Sequence, residues 1–476
     1  MTTYADRPVA ILDLPLPTGV SVLHPENAVI RFVTSETVDI GAICYLERSR
    51  LARTATEGAR RVELKSLCTK RVRKVLKIIS YISTAVADGN RSPNTLHAMV
   101  CGWTRFVDWC DENGHPETME NVQTGRAALH AYIAHLRDRI GHGTLWPTTA
   151  FRYQEDALKL LRDCCELEHV DVGLNKLWND RSAVQQTPVP DEETQSRVLA
   201  MSTSLFHGLT DLVVERRNYP HKIAMPGYLG WAENCLWVFP GPTWALPPHA
   251  LARRNGRKIR YQAYNYVDGH VATVDECLSS YNSKKIALRA VREASDLICE
   301  ANADMGHHHR IHAAKIAHNA FVLLFLANTG MNYAQARELN WSGDYQVGTT
   351  SQGFREIKCR ANNKTVSFHI EIGFLPTFRK FLRLWDFLVT NRGSSNYLFF
   401  SIGSNDQSSP TRIGTGLLDH LYSTLRRIDP NLPKIMSRAW RSAKSDWLIR
   451  RTDISTAASI LQNSEATVAR AYALGS

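Results

Sequence analysis

Apolar positions recur at helical spacing over most of this chain. Between residues 61 and 170 they predict four amphipathic helices joined by short turns. Val72, Val75, Ile79 and Ile82 form the stripe of the first. Ser92 as N-cap and Pro93 in the first turn open the second, which carries Leu96, Met99, Val100, Trp103, Phe106, Val107 and Cys110 before Gly114 stops it. Leu129, Tyr132, Ile133, Leu136 and Ile140 mark the third. Tyr153, Ala157, Leu161 and Cys164, after Trp146-Pro147, mark the fourth. Four such helices read as a small bundle whose aromatic residues fill its core.

Elsewhere the pattern is less regular. Residues 1–60, with prolines at 8, 15, 17 and 25, read as an N-terminal arm. Residues 171–305 read as a linker and the start of the C-terminal region with an insertion, with helices over Glu192–Glu215 and Lys284–Ala303 around a Trp/Pro/Gly-rich stretch. From 306 to 476 the period changes twice. Ile316–Leu326 predicts a buried helix that breaks at Asn328-Thr329-Gly330, and a second helix runs from near Asn332 to Trp341. Phe354–Arg360 and Lys364–Ile370 alternate and flank an Ala361-Asn362-Asn363 turn, a β-hairpin. Helices follow near Phe378–Asn391, Gly414–Ile428, Arg438–Ile449, Ile454–Leu461 and Glu465–Ala473. The fold class expected is mainly α with a small β-hairpin or sheet.

Charge adds a partner to this picture. Of 476 residues, 57 are Lys or Arg and 46 are Asp or Glu, a formal surplus of +11. Solubility alone accommodates such a surplus, so its placement matters more than its size. Lys70, Arg73, Lys74 and Lys77 form a basic stripe on the first helix with no interleaved acids. Like charges so arranged repel unless phosphates lie opposite. Arg253, Arg254, Arg257 and Lys258 make a dense basic patch around Gly256, equally readable as a phosphate-touching loop or a solvated one. The longest apolar run, Ala320–Ala327, is short for a bilayer span, and the first residues lack a signal-peptide pattern, so a cytoplasmic protein without a membrane is expected. The ten cysteines include no Cys-x-x-Cys pair and read as reduced thiols. The run His307-His308-His309 with His312 and His318 lacks a helical His-Glu-x-x-His and is better explained as a polar helix start than as a metal site. No cofactor is expected.

Three patches in the last third resemble the tyrosine recombinase (phage integrase) family. Thr329-Gly330-Met331-Asn332, then Leu339-Asn340-Trp341, is similar to its first box, Thr-Gly-Leu-Arg followed by Leu-x-Trp, with Gln335 where a Glu is usual. Arg438-Ala439-Trp440-Arg441 stands where the family has His-x-Leu-Arg, and Leu461-Gln462-Asn463-Ser464 where it has Leu-Gly-His-Ser. Tyr472 follows Asn463 at the histidine-to-nucleophile spacing. The resemblance implies a helical core-binding domain over 61–170 and an α+β catalytic domain over 306–476, closing as a clamp on double-stranded DNA. It also implies a homotetramer on DNA, accessory recombination proteins as possible partners, and a nucleoid-associated location.

The resemblance makes Tyr472 the nucleophile, Arg441 and Arg438 phosphate ligands, and Lys358 the hairpin lysine with Lys364 in reserve. A phenol suits cofactor-free breakage because its attack keeps the bond energy as a covalent ester. Guanidinium groups suit the charge that spreads over the phosphoryl oxygens, and a lysine suits protonation of the leaving oxygen. Arg438 and Arg441, a helical turn apart, are expected on one face, extended by Lys444, with Trp440, Ala443 and Trp447 buried. Asn332 and Asn463 depart from the family's arginine and histidine, and an amide supplies no charge. A rebuilt phosphate pocket and a DNA-binding relative without cleavage, acting as an architectural or accessory protein, are both compatible with these departures.

Overall fold

A computed structural model describes the chain except residues 1–3, 18, 20, 34–35, 53–57, 90, 180–186, 255–262, 282, 342–351, 359–363, 371, 404–408, 462–464, 466–467 and 469–476. It is mostly helical with small sheets and divides into two compact units, Met1–Val184 and Gln185–Ser476.

The first unit places a β layer against a helical bundle. β1 (Ala10–Asp13) runs parallel to β2 (Ala28–Arg31), with Ala10 opposite Ala28. β3 (Thr37–Val38) pairs antiparallel on the other side of β2, and β4 (Arg48–Ala52) pairs with β5 (Arg60–Val62). Gly41 passes so close to residues 26–28 that a Cβ there would lie 2.6 Å from the Glu26 carbonyl. The segment expected as an arm thus contributes Ala28, Ile30, Phe32, Ile40 and Ile43 to the same core as the helices. Its strands were illegible because they are two to five residues long, too short to show an alternation.

The four helices follow the apolar stripes: α1 (Thr69–Ala87), α2 (Pro93–Glu112), α3 (Val122–Gly141) and α4 (Pro147–Lys159). Ser92 accepts a hydrogen bond from the Thr95 N–H at 3.2 Å, and Asn121 with Thr124 forms a reciprocal capping box on α3. The last turn beyond α4, Leu160–Cys164, widens into a π-helix. One feature contradicts the periodic reading. Arg71 lies inside, 3% exposed, with its guanidinium on both oxygens of Asp111. Arg48 also reaches Asp111, at 2.7 Å, and shares Asp108 with Arg60.

The second unit is built around one buried helix. α5 (Glu192–Val214) precedes two strand pairs and three helices: β6 (His221–Ala224) with β7 (Cys235–Val238), α6 (Pro248–Arg254), β8 (Tyr264–Asn265) with β9 (His270–Val271), α7 (Val274–Cys277) and α8 (Lys284–Ala303). α9 (His308–Thr329) follows, apolar around most of its circumference, and packs along α5. Then come α10 (Tyr333–Ala336), the hairpin of β10 (Gln352–Lys358) and β11 (Lys364–Ile370), α11 (Leu375–Arg392), the pair β12 (Phe400–Ser401) and β13 (Thr411–Arg412), α12 (Leu417–Ile428), α13 (Ser437–Arg451) and α14 (Ile454–Ile460). Phe206, Phe321, Phe378, Phe381 and Phe399 form an aromatic core, with Phe321 and Phe381 stacked at 4.0 Å. Residues 171–305, read as a linker and the start of the C-terminal region with an insertion, thus supply α5, a principal wall of this core. The second helix expected from Asn332 to Trp341 is a single turn, α10. Leu339 and Trp341 leave it to bind the Leu398 and Asn396 backbones at 2.8 Å each.

Candidate functional site

The three patches that carried the resemblance come together in the second unit. α9 ends in a left-handed Gly330 (φ +64), whose N–H returns to the Leu326 carbonyl at 2.9 Å. Thr329 locks the turn: its hydroxyl donates to the Phe325 carbonyl at 2.8 Å and accepts the Met331 N–H at 3.2 Å. This geometry leaves the Gly330 carbonyl facing α13. There the terminal nitrogens of Arg441 donate to the Gly330 carbonyl at 2.5 Å and to the Leu461 carbonyl at 2.6 Å. One guanidinium thus joins the first, second and third patches. The approach is tight enough that a Cβ on Gly330 would lie 2.8 Å from Leu461 Cδ2 and 3.0 Å from Lys444 Cγ.

Arg441 is 1% exposed, so the expected phosphate ligand is, as placed, a brace. Nor does it share an open face with Arg438, which is exposed. The physical reason is that α13 is covered on two sides, by α9 and by α14, so positions one turn apart fall on either side of a boundary. Trp440 and Ala443 are buried as expected, but Trp447 is 38% exposed. Its ring carries Lys444 Nζ at 4.2 Å and the Arg451 guanidinium at 4.5 Å. Arg450 turns to Asp446 at 2.9 Å. Arg438, Lys444 and Arg451 are therefore the cations that α13 presents outside its core.

Asn332 caps the turn of α10 through its backbone carbonyl, which accepts from Gln335 and Ala336. Its side-chain amide donates to Gln335 Oε1 at 3.2 Å, so the two departures from the family's box answer each other. α10 is tied outward as well. The Tyr333 hydroxyl donates to the Gly414 carbonyl at 2.6 Å, and Arg337 Nε to the Ile413 carbonyl at 2.8 Å. Burial pushes the Tyr333 phenol up to about 12, so it stays protonated as this donor. In the hairpin, Lys358 pairs directly opposite Lys364 at the last register position before the turn. Tyr472 and Asn463 lie outside the described residues, as do Arg257 and Lys258; Arg253 and Arg254 close α6.

Three of the four cations in the basic stripe of α1 have partners within the first unit. Lys70 pairs with Glu120 at 2.7 Å, Lys77 with Glu166, and Lys74 donates to the Cys165 carbonyl at 2.9 Å. The missing acids come from other segments of the same unit, which spacing along one helix does not reveal. Arg73 is exposed and has no ion pair among the described residues.

Sequence reasoning missed Arg310 altogether. It is fully buried at the start of α9 and donates to the carbonyls of Ala301, Leu212 and Arg217. Its signal was weak: an arginine in the first turn of a helix whose apolar run, Ala320–Ala327, begins ten residues later. In the histidine run, His307 caps α9, its Nδ1 accepting the His309 N–H at 3.3 Å. No protein-family model, curated protein or solved structure matches the chain.

Proposed function

We propose that the chain is a site-specific DNA recombinase that cuts and rejoins duplex DNA through a 3′-phosphotyrosyl link to Tyr472. The observation that supports this reading is the Arg441 brace. One guanidinium in the second patch binds the Gly330 carbonyl of the first, 111 positions away, and the Leu461 carbonyl that opens the third, 20 positions away. In the reaction, the Tyr472 oxygen attacks the scissile phosphorus, a bond to phosphorus forms as the bond to the 5′ oxygen breaks, and that oxygen takes up a proton. Lys358 or Lys364 is the donor, and Arg438 and Lys444 neutralise the phosphoryl oxygens. Arg441 sets the positions of the first and third patches. Reversal of the same chemistry on a second duplex rejoins the strands, in a tetramer and without metal or nucleotide.

The test is recovery of covalent adducts. Full-length protein is incubated with sheared genomic duplex DNA, denatured in detergent and freed of unattached DNA. The expected result is a tryptic peptide containing Tyr472 bearing a nucleotide, its DNA enriched in one sequence, and no adduct from Tyr472→Phe. An adduct that persists in the Phe variant removes Tyr472 from the mechanism. Absence of any adduct alongside salt-sensitive duplex binding favours a second reading, a DNA-binding relative that does not cleave. Asn332, uncharged, and Arg441, turned onto carbonyls, are the observations on that side.

A further inference from the structure

A cavity of about 390 Å³ opens in the second unit between α9, α11, β12 and the start of α12, lined by none of the residues in the three patches. Its polar wall is made of donors. Lys315 is half-buried with Nζ on the Gly403 carbonyl at 3.1 Å. Burial and the like charge of Arg392 push its pKa down, and among the described residues no carboxylate acts to offset them. One turn later, Asn319 is oriented by its neighbour. His318 is buried, and its Nε2 accepts the Phe400 N–H at 3.4 Å, so the proton sits on Nδ1, which faces Asn319 Oδ1 at 3.2 Å. Desolvation holds the His318 pKa down at about 4, consistent with a neutral ring. With its oxygen occupied, Asn319 has its NH₂ left for the cavity. Gly416, the N-cap of α12, lines the wall, with His420 a turn further on, so the positive end of that helix lies at the cavity. The acid of that turn, Asp419, is already paired with Lys434 at 2.5 Å. Leu388, Phe400, Ile402 and Leu417 form the apolar remainder.

We propose that this cavity binds a phosphate group carried by an organic body small enough to rest on its apolar wall, as in a mononucleotide. A lysine, an amide, an imidazole and the N-terminal end of a helix line it, with no carboxylate among the described lining residues, a set that favours an anion over a cation. The site is coupled to the patches: the Ile413–Gly416 segment that lines it is the segment to which Tyr333 and Arg337 tie α10. An occupant would therefore stiffen the turn that carries Asn332.

The inference does not depend on cleavage, and no cleavage is scored in its test. Full-length protein is titrated calorimetrically with adenosine 5′-monophosphate, adenosine, inorganic phosphate and a short duplex. The expected result is binding of the monophosphate, weaker binding of phosphate and none of adenosine. Lys315→Gln, losing one charge-assisted hydrogen bond, should weaken the monophosphate by roughly tenfold or more. His420→Gln, at an exposed position, should weaken it by a smaller factor and guards against misfolding of the first variant. If Lys315→Gln and His420→Gln weaken only the duplex, the phosphate bound is one from the DNA backbone. If neither variant changes the binding of monophosphate, phosphate or duplex, or if adenosine binds as well as its phosphate, the site is overturned.

Discussion

The two units bury arginine in opposite ways. In the first, Arg7, Arg48 and Arg71 are enclosed with carboxylates: Asp39 for one, Asp108 and Asp111 for the others. In the second, Arg310 and Arg441 donate to backbone carbonyls, five contacts to five different residues. A carboxylate cancels the charge it binds; a carbonyl satisfies the hydrogen bonds and leaves the charge in place. The first unit pairs its buried arginines with acids, and on the α1 stripe Lys70 and Lys77, while Arg73 and Lys74 have no ion pair among the described residues. The second uses its two buried arginines to fasten chain crossings, Arg310 at the start of α9 and Arg441 on α13 between Gly330 and Leu461.

The comparison breaks most sharply at Arg441. Arg441→Met should cost about 3–5 kcal/mol, since it orphans two buried carbonyls, and should speed amide hydrogen exchange across α14 before the rest of the unit. Equal exchange in α14 of both proteins would remove the brace. Arg71→Met also frees two carbonyls, those of Ile43 and Pro116, but the second is only part-buried and Arg48 remains on Asp111, so it should cost less, about 2–3 kcal/mol in urea unfolding. A cost above that of Arg441→Met would reverse the ranking of the two devices.

A smaller effect separates the units by pH. Asp156, buried on α4 against Gly102, has its carboxyl pushed up to about 6, chiefly by desolvation. The native state therefore holds a proton that the unfolded chain releases near 3.8. The stability this lends is complete below that value and is lost as pH rises through about 6. Asp156→Asn should leave unfolding at pH 4 nearly unchanged and stabilise the first unit at pH 7.5 by about 1–2 kcal/mol. A variant equally stable relative to the parent at both pH values would refute the shift. Smallest of all, Lys77→Gln should leave the salt dependence of duplex binding as it is, whereas Arg73→Gln should lower its slope by about one. The opposite result would mean that Glu166 gives way to phosphate.

Helices, and the faces they bury, were largely legible, because a stripe such as Val75, Ile79 and Ile82 is a local property. The hairpin register was not readable, since Lys358 and Lys364 fit several pairings until the strands are aligned. Charge partners were the least accessible. Lys77 meets an acid 89 positions away, and Arg441 a carbonyl 111 positions away. A carbonyl has no letter in the sequence, so an arginine bound to one looks identical to an arginine reaching for phosphate. The three patches could be listed but not connected, and residues 1–60 gave no period because their strands are too short to show one.

One consequence of α9 concerns the order in which the chain is made. Its apolar sequence is long enough to cross a bilayer, and 72% of that window is covered inside the second unit. The helix that covers most of it, α5, lies earlier in the chain and is synthesised first. The most apolar segment of the protein therefore follows its main packing partner in the chain, while α11, α12 and α13, which close the remaining sides, come after it.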